Sequence, residues 1–244
     1  MKSKKRYTIL RLAALLCFFT LLGACGSDDD SMPAVTPTET GTFTDADGTV
    51  YHWVRIDTLE WMVENYRGGT PWYEQSYVSN GFEESFNVSD TEAEDSLIAH
   101  NGNYLTWEDA KASAPKGWRL PTDADYQNLE RALGMSAADA KKEGWRNGAA
   151  NLMMQSGTGT MLNFVLNGQL SAWSTSYVEE YHVGDYGCYW TATRDTTKAT
   201  NECAFIRVLC AGRNQVQRVA CPVKLRWMSV KYVRYLNSAT LLKS

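Results

Sequence analysis

The stretch Gly117-Trp118-Arg119-Leu120-Pro121-Thr122, followed by Asp123-Ala124-Asp125-Tyr126, decides how the middle of this chain folds. Gly117 allows a sharp backbone bend that a residue with a side chain makes only at a cost. Trp118 and Leu120 are large apolar side chains that favour burial. The stretch therefore predicts a turn at Gly117 that places Trp118 and Leu120 in the core.

The same stretch also predicts a helix start. Pro121 keeps the preceding residue extended, so the helix begins only after it. Thr122 is a typical N-cap residue, and Asp125 stands at the capping-box position, where a carboxylate also suits the positive end of the helix dipole. Gly134 is a natural stop. The inward face of this helix is predicted to carry Tyr126, Leu129 and Leu133.

The run G-W-R-L-P-T-x-x-D-Y resembles the G-W-R-L-P-T-x-x-E-W signature of the Fibrobacter succinogenes major paralogous domain family. Residues 43–51 resemble the family's opening, F-x-D-x-x-D-G-x-x-Y, and residues 61–65 match its W-M-x-E-N. Residues 188–193 resemble its Y-W-S-S-T strand. The family is similar to formylglycine-generating enzymes and, more distantly, to C-type lectins. The resemblance implies an α+β, C-type-lectin-like single domain over residues 42–236, with short helices packed on twisted antiparallel sheets, before a tail of residues 237–244.

The composition indicates a packed globular body. The chain has 244 residues, of which 44% are hydrophobic and 12% aromatic, and its nine tryptophans all follow residue 50. Disordered chains are poor in aromatic residues, so this distribution excludes disorder for most of the chain.

The first 24 residues are typical of a bacterial lipoprotein signal peptide. Basic side chains precede an apolar run, Leu12 to Leu22, that is too short for a typical membrane span. Leu22-Gly23-Ala24-Cys25 resembles a lipobox, so Cys25 is predicted to be lipidated and to become the first mature residue. The alternative is an ordinary signal peptide with an incidental cysteine.

The lipid is predicted to anchor the protein in an outer membrane, with the domain exposed at the cell surface. Residues 25–41 then form the lipidated cysteine and a flexible linker, rich in Pro, Thr and Ser. Gly26-Ser27-Asp28-Asp29-Asp30 resembles the acidic tag that directs Bacteroidetes lipoproteins to the outer face of that membrane. The alternative is a solvated spacer.

The charge of the chain argues against a nucleic-acid partner. Residues 1–24 hold five of the 24 basic side chains and none of the 28 acidic ones, so 19 basic and 28 acidic side chains remain after cleavage, a net charge of −9. Such a surface repels phosphate backbones.

The pattern of turns and apolar residues predicts the remaining elements. Strands are expected at 50–56, 60–65, 161–166, 188–193, 202–210 and 215–227, and helices at 107–114, 136–144 and 147–155. Between Gly68 and Ala110 there are nine acidic residues and no Lys or Arg. This segment is interpreted as a long surface excursion, either a solvated insertion or a docking surface.

Residues 168–187 form the predicted ligand-binding loop. C-type-lectin-like folds carry their ligand site in the long loop before the central strands, and this loop combines aromatic rings with carboxylates. Rings that stack on sugars and carboxylates that accept hydroxyl hydrogen bonds suit a glycan. The alternative is that the rings pack the loop onto the body. The candidate residues are Trp173, Tyr177, Glu179, Glu180, Tyr181, Asp185 and Tyr186.

Four cysteines of the domain are disulfide candidates because an exported protein meets oxidising conditions. A three-residue hairpin loop, 211–213, puts Cys203 opposite Cys221, which leaves Cys188 and Cys210 as the second pair. Four cysteines allow three connectivities, so this pairing is one of three.

No catalytic, cofactor or metal site emerges from the sequence. The three histidines, His52, His100 and His182, are scattered, and the Asp-rich turn at 45–48 lacks the further ligands of a calcium loop. The C-terminal cysteines do not follow the paired-cysteine pattern of the formylglycine-generating relatives. The expected function is a surface adhesin or glycan-binding module without catalysis. The alternatives are an assembly subunit of a surface complex, contacting a surface protein, and a divergent enzyme.

Overall fold

A computed structural model describes residues 34–79, 81–86, 88–174, 177–197, 202–224 and 226–235. The predicted signal peptide, Cys25 and most of the predicted linker lie outside these residues. The strands are β1 (Glu39–Thr44), β2 (Val50–Ile56), β3 (Leu59–Met62), β4 (Ser76–Ser79), β5 (Phe82–Ser85), β6 (Gly144–Asn147), β7 (Gln169–Ser174), β8 (Tyr177–Tyr181), β9 (Tyr186–Arg194), β10 (Cys203–Cys210), β11 (Gln215–Pro222), β12 (Arg226–Trp227) and β13 (Val233–Tyr235). The helices are α1 (Thr91–Asn101), α2 (Trp107–Ala112), α3 (Asp123–Ala132), α4 (Ala137–Lys141) and α5 (Ala150–Met153).

The strands form antiparallel sheets, which together with the short helices confirms the α+β prediction. One four-stranded sheet has the order β1-β2-β3-β13, and a second has the order β6-β11-β10-β9. A three-stranded sheet, β12-β7-β8, and the hairpin β4-β5 complete the set in the described residues. No helix in the part of the chain that the structure describes has the length and apolar character to cross a bilayer.

The signature stretch forms the predicted turn and helix start. Trp118 and Leu120 are buried, and α3 begins directly after Thr122. The Thr122 hydroxyl accepts a hydrogen bond from the Asp125 backbone N–H, while the Asp125 carboxylate accepts one from the Thr122 N–H at 2.6 Å. This reciprocal pair is the predicted capping box. The helix ends before Gly134, whose φ of 100° only glycine adopts easily.

Buried ion pairs join α3 to the second four-stranded sheet. Asp123 and Glu130 project from the helix, and Arg146, Arg207 and Arg218 come from β6, β10 and β11. Arg207 donates to both carboxylates at 2.7 Å, Arg146 donates to Glu130 at 2.7 and 2.9 Å, and Arg218 donates to Asp123 at 2.8 Å. Each of the three guanidinium groups is thus paired with at least one carboxylate, as buried charges must be.

Buried aromatic side chains hold the layers together. One apolar group joins α3 to both four-stranded sheets, and in it Trp61 meets Tyr126 at 5.2 Å between ring centroids and Phe164 meets Tyr189 at 4.8 Å. A second group contains Trp118 and the buried residues of α2. A third lies beneath the acidic segment.

The acidic segment folds into its own small unit, which the sequence did not predict. We call residues 68–101 the acidic module. It consists of a 3₁₀ turn, the hairpin β4-β5 and α1, which begins at the N-cap Asp90. Trp72 and Tyr77 are buried and share an apolar cluster with Trp227, whereas Phe82 is 70% exposed.

Three predicted elements differ from the structure between residues 136 and 166. The predicted helix at 147–155 shrinks to α5, and residues 144–147 pair with β11 as strand β6. Gly144 and Gly148, with φ of 85° and 89°, break the helix at both ends of this strand. Leu162 and Phe164 are buried, yet residues 161–166 form no strand, because Met161 and Asn163 have left-handed backbone conformations that interrupt a ladder.

The folded region begins earlier than predicted. Strand β1 starts at Glu39, inside the range assigned to the linker, and pairs along its whole length with β2. Phe43 is the one large apolar residue of this strand, and its ring centroid lies 4.5 Å from that of Trp118. The other residues of β1 are polar or glycine, so the strand carries little apolar signal.

Candidate ligand-binding cleft

The predicted ligand-binding loop is mostly a hairpin in the structure. Trp173 lies in β7, and Tyr177, Glu179, Glu180 and Tyr181 lie in β8. Their backbone positions are described, and their side chains lie outside the description. In the register of the hairpin, Tyr181 is opposite Gln169 and Glu179 is opposite Ser171.

A tight turn after β8 positions Tyr186, the first residue of β9. The carbonyl of His182 accepts hydrogen bonds from the N–H groups of Asp185 and Tyr186, both at 3.0 Å. The Asp185 carbonyl in turn accepts from Ala211 N–H at 2.8 Å, which ties the turn to the loop between β10 and β11. Tyr186 is therefore fixed at the edge of the second four-stranded sheet.

One face of this sheet aligns side chains from four strands. Trp145 of β6 lies opposite Gln217 of β11, Gln217 lies opposite Val208 of β10, and Val208 lies opposite Cys188 of β9. Residues directly opposite in antiparallel strands point to the same face. The row therefore runs across the whole sheet, and Tyr186 lies two residues from Cys188 on the same face.

This face forms the floor of an open cleft, which we call the sheet cleft. Its volume is about 520 Å³, within the range of small-molecule sites. The floor is apolar, with Cys188, Val208 and Ile206 buried. The walls are polar and aromatic, and they comprise Trp145, Gln169, His182, Tyr186, Gln217 and Arg226.

Three rings surround the mouth of the sheet cleft. Trp145 and Tyr186 have ring centroids 6.4 Å apart with planes tilted by 40°, and His182 meets Tyr186 edge-on at 5.1 Å. Trp145 is 37% exposed although most tryptophans of the chain are buried. An exposed aromatic surface beside polar groups suits the apolar face and hydroxyls of a sugar ring.

Polar groups accompany the rings. The side-chain amides of Gln169 and Gln217 supply both donors and acceptors, and the Arg226 guanidinium supplies donors only. Asp185 is exposed beside the turn, with an oxygen 3.9 Å from His182 Nδ1. Of the candidates with described side chains, the structure thus brings Tyr186 into the sheet cleft and leaves Asp185 at its margin.

The structure corrects the predicted disulfide between Cys203 and Cys221. The loop between β10 and β11 has four residues, 211–214, one more than predicted. The register therefore shifts by one, so that Cys203 lies opposite Pro222 and Cys221 lies opposite Ala204. A shift of one residue moves a side chain to the other face of the sheet, which separates the two sulfur atoms.

The strand register also argues against the second predicted disulfide, between Cys188 and Cys210. Cys188 lies opposite Val208 and Cys210 opposite Tyr186, so the two cysteines are diagonal neighbours. Diagonal Cβ atoms are about 7–8 Å apart, whereas a disulfide needs about 4 Å. The four cysteines that the structure describes are all free thiols.

Burial disfavours the thiolate form of both cysteines at the sheet cleft. Burial raises the pKa of Cys188 to about 12 and that of Cys221 to about 11. The Arg226 charge lowers both pKa values in part without reversing the effect of burial. A nucleophilic cysteine needs a lowered pKa, so these thiols serve as apolar floor groups.

The Asp-rich turn at residues 45–48 is explained by local hydrogen bonds. Asp45 Oδ1 accepts from the N–H groups of Asp47 and Thr49 at 3.0 and 2.8 Å, and Gly48 takes a φ of 84°. This closes the predicted turn. Among the described residues, no group of three or more His, Cys, Asp or Glu side chains is arranged to hold a metal ion.

Sequence reasoning missed Trp145, Gln169, Gln217 and Arg226. Trp145 stood between two predicted helices, and only its flanking glycines, Gly144 and Gly148, signalled a short strand. The other three are single polar residues whose positions depend on strand register rather than on a motif.

A comparison with protein families matches residues 54–234 to the Fibrobacter succinogenes major domain. The match spans both four-stranded sheets except β1, the first residues of β2 and the last residue of β13, and it includes every residue named for the sheet cleft. Comparisons with curated proteins and with solved structures found no match.

Proposed function

The chain belongs to the Fibrobacter succinogenes major domain family, and we propose that its domain is a C-type-lectin-like, glycan-binding module that works without catalysis. The observation that carries this proposal is the exposed Trp145 ring beside Tyr186 at the mouth of the sheet cleft. His182 lies in the turn just before β9, and Tyr186 is the first residue of β9. Both belong to residues 168–187, the stretch that a C-type-lectin-like architecture would use as its ligand-bearing loop.

A glycan fits the sheet cleft better than an apolar ligand does. The rings offer stacking surfaces, while Gln169 and Gln217 offer amides that can donate to and accept from hydroxyl groups. The volume of about 520 Å³ accommodates one or two sugar rings. An open cleft with polar walls also suits a chain end or branch of a larger polysaccharide.

We further propose that the domain is displayed on the outer face of an outer membrane through lipidated Cys25. The lipobox-like sequence before Cys25 and the Ser-Asp-Asp-Asp run after it support this location. Adhesion to glycans outside the cell is then the function that the site and the anchor support together.

A glycan array tests the proposed function. The full chain, purified in detergent, is applied with and without calcium beside two variants. Trp145→Ala removes the exposed ring of the sheet cleft, and Phe82→Ala removes an exposed ring of the acidic module. We expect the wild type and Phe82→Ala to bind the same glycans and Trp145→Ala to bind them at least about tenfold more weakly. No binding by the wild type under either condition would contradict the proposal.

The acidic module supports a second candidate function, that of an assembly subunit. Its hairpin exposes Val78 by 67% and Phe82 by 70%, next to carboxylates on β5 and α1. Apolar residues with a charged rim are common in protein interfaces. Crosslinking on intact cells tests this candidate, since a partner bound at the hairpin must be lost from the Phe82→Ala variant and retained by Trp145→Ala.

A divergent formylglycine-generating enzyme receives no such support. The two thiols that line the sheet cleft, Cys188 and Cys221, have raised pKa values and act as apolar groups. The proposal therefore assigns the sheet cleft to binding alone.

A further inference from the structure

The hairpin β4-β5 of the acidic module has one packed face and one open face. Its register places Tyr77 opposite Glu84 and Val78 opposite Glu83. Since neighbouring residues of a strand point to opposite faces, the buried ring of Tyr77 marks the packed face and Val78 marks the other. The residues of the Val78 face are all exposed, namely Ser76, Val78, Glu83 and Ser85. This face therefore has no partner within the part of the chain that the structure describes.

The hairpin also presents apolar side chains and open strand edges. Val78 is 67% exposed and Phe82, at the tip, is 70% exposed, which makes them the two most exposed large apolar side chains of the described residues. Within the described ranges β4 and β5 pair only with each other, so each strand has one edge without a neighbouring strand. Such edges offer main-chain groups with which another polypeptide can pair.

Contacts beneath the hairpin hold the open face in place. The side chain of Asn103 accepts a hydrogen bond from the Trp72 backbone N–H at 3.1 Å. The indole of Trp227 donates to the Gln75 side chain at 2.9 Å, and its ring meets that of Tyr77 edge-on with 5.6 Å between centroids. The face is thus formed before any partner arrives, which lowers the entropic cost of binding.

The acidic module contains most of the net negative charge of residues 25–244, which is −9. Residues 68–101 hold seven Asp and Glu side chains and no Lys or Arg, whereas the rest of residues 25–244 holds 21 acidic and 19 basic side chains. Three of the seven carboxylates accept hydrogen bonds from uncharged groups, which leave the negative charge in place. Asp90 accepts from Ala93 N–H, Asp95 from the Tyr73 hydroxyl and Glu83 from the Ser76 hydroxyl.

We propose that the hairpin of the acidic module is the docking surface for a basic polypeptide segment of another protein. Lys or Arg side chains of that segment pair with the carboxylates of the module, and its apolar side chains cover Val78 and reach Phe82 at the tip. Charge complementarity of this kind steers a partner and fixes its register. This inference rests on the second candidate function, assembly through the acidic module, and specifies its partner.

The same charge argues against other occupants. In a symmetric contact a second copy of the chain would bring the same seven carboxylates to the interface, where like charges oppose binding. The rest of a second copy has no excess of basic side chains to offer. Membrane phosphates and anionic polysaccharides are repelled for the same reason. A basic segment with apolar residues satisfies both the carboxylates and the two exposed apolar side chains.

Site-specific photocrosslinking on intact cells tests this inference. The photoreactive residue benzoylphenylalanine replaces Val78 in the full chain, and mass spectrometry identifies the peptide that it joins after irradiation. The matched control carries the same residue in place of Val50, which is 50% exposed on β2 outside the acidic module. The Val78 crosslinker is then combined with one of two charge reversals. Glu83→Lys changes the open face, and Asp47→Lys changes an exposed carboxylate in the turn before β2.

We expect position 78 to crosslink to a segment of another protein that has more Lys and Arg than Asp and Glu, and position 50 not to reach that segment. Glu83→Lys should lower the crosslinking yield at least about tenfold, because like charges then meet across the contact, while Asp47→Lys keeps the yield. Thermal unfolding of each variant reports whether the fold is retained.

A crosslink from position 78 to a second copy of the chain, or to a neutral or acidic segment, would overturn this inference and leave the assembly candidate standing. A yield that Glu83→Lys does not change would do the same. No crosslink from position 78 would overturn both. Glycan binding at the sheet cleft is tested separately by the array.

Discussion

Arg207 and Glu130 form an ion pair in which both side chains are fully buried, with 2.7 Å between Arg207 Nε and Glu130 Oε1. Glu130 also accepts two hydrogen bonds from Arg146, so one carboxylate is the hydrogen-bond partner of two guanidinium groups. Glu130 comes from α3, Arg207 from β10 and Arg146 from β6. Their pairing holds α3 against the sheet that forms the floor of the sheet cleft.

Removing this carboxylate should be costly. In Glu130→Ala two buried guanidinium groups lose a partner, and we expect the free energy of unfolding to fall by about 3–5 kcal/mol. Urea denaturation of the wild type and the variant measures this loss. The matched control is Glu108→Ala on α2, whose carboxylate pairs with Lys111 but is 64% exposed, and there we expect less than about 1 kcal/mol. Equal losses in both variants would contradict the buried network.

The helix at the centre of this network was predictable because its signals are local. Thr122 and Asp125 lie within one turn, and each satisfies a backbone group of the other whatever the rest of the chain does. Gly134 likewise ends the helix through its own backbone freedom. The family resemblance extended these local signals to an α+β domain, which the structure confirms.

The sheet cleft could not be predicted in the same way, because it depends on strand register. Whether Cys221 meets Cys203 or Ala204 is decided by one residue in the loop between β10 and β11. The same residue decides that Gln217 faces the row of Trp145 and Cys188. Composition and periodicity do not fix the length of such a loop, so the sequence indicated the aromatic segment at 168–187 but not its partner Trp145.

Lys231 should make stability depend on pH above neutrality. Its ammonium group is fully buried, donates to the Val63 carbonyl and lies 5.1 Å from the centre of the Phe164 ring. Burial lowers its pKa to about 7, and the Glu64 charge offsets only part of that effect. The unfolded chain, with a pKa of about 10.4, then binds more protons than the folded chain between pH 7 and 10. Stability contributed by this group therefore rises with pH in that window.

Comparison with Lys231→Met isolates this effect from other titrations. We expect the free energy of unfolding of the wild type to rise relative to that of the variant by on the order of 1 kcal/mol per pH unit between pH 7.5 and 9.5. Below pH 7 the difference should be constant, since both states are then protonated. A difference that is flat across the whole range would show that the Lys231 pKa is not lowered.

The four cysteines of the domain should be alkylated without any reductant. Cys203 and Cys210 are partly exposed and should react in the native protein, whereas Cys188 and Cys221 are buried with raised pKa values and should react only after unfolding. Mass spectrometry of peptides from native and urea-unfolded protein, both treated with iodoacetamide, measures this. A disulfide that joins the peptides carrying Cys203 and Cys221 would contradict the register of β10 and β11.

Lipidation of Cys25 predicts where the protein is found in the cell. Cys25→Ala removes the only thiol in the lipobox-like sequence, so we expect the variant to be recovered in the soluble fraction while the wild type stays with membranes. Fractionation with an antibody against the domain measures the distribution. Cys17→Ala, which changes a cysteine inside the apolar run, is the matched control and should remain membrane-bound. Retention of Cys25→Ala would contradict the anchor.

The measurement that tests glycan binding at the sheet cleft most directly is nuclear magnetic resonance of the tryptophan indole N–H groups. The chain has nine tryptophans, and the signal of Trp145 is assigned from its absence in Trp145→Phe. Trigalacturonide and the neutral cellotriose are added as probes. We expect at least one of them to shift the Trp145 signal while the signals of buried Trp61 and Trp118 stay in place. Titrations in which the Trp145 signal never moves would contradict it.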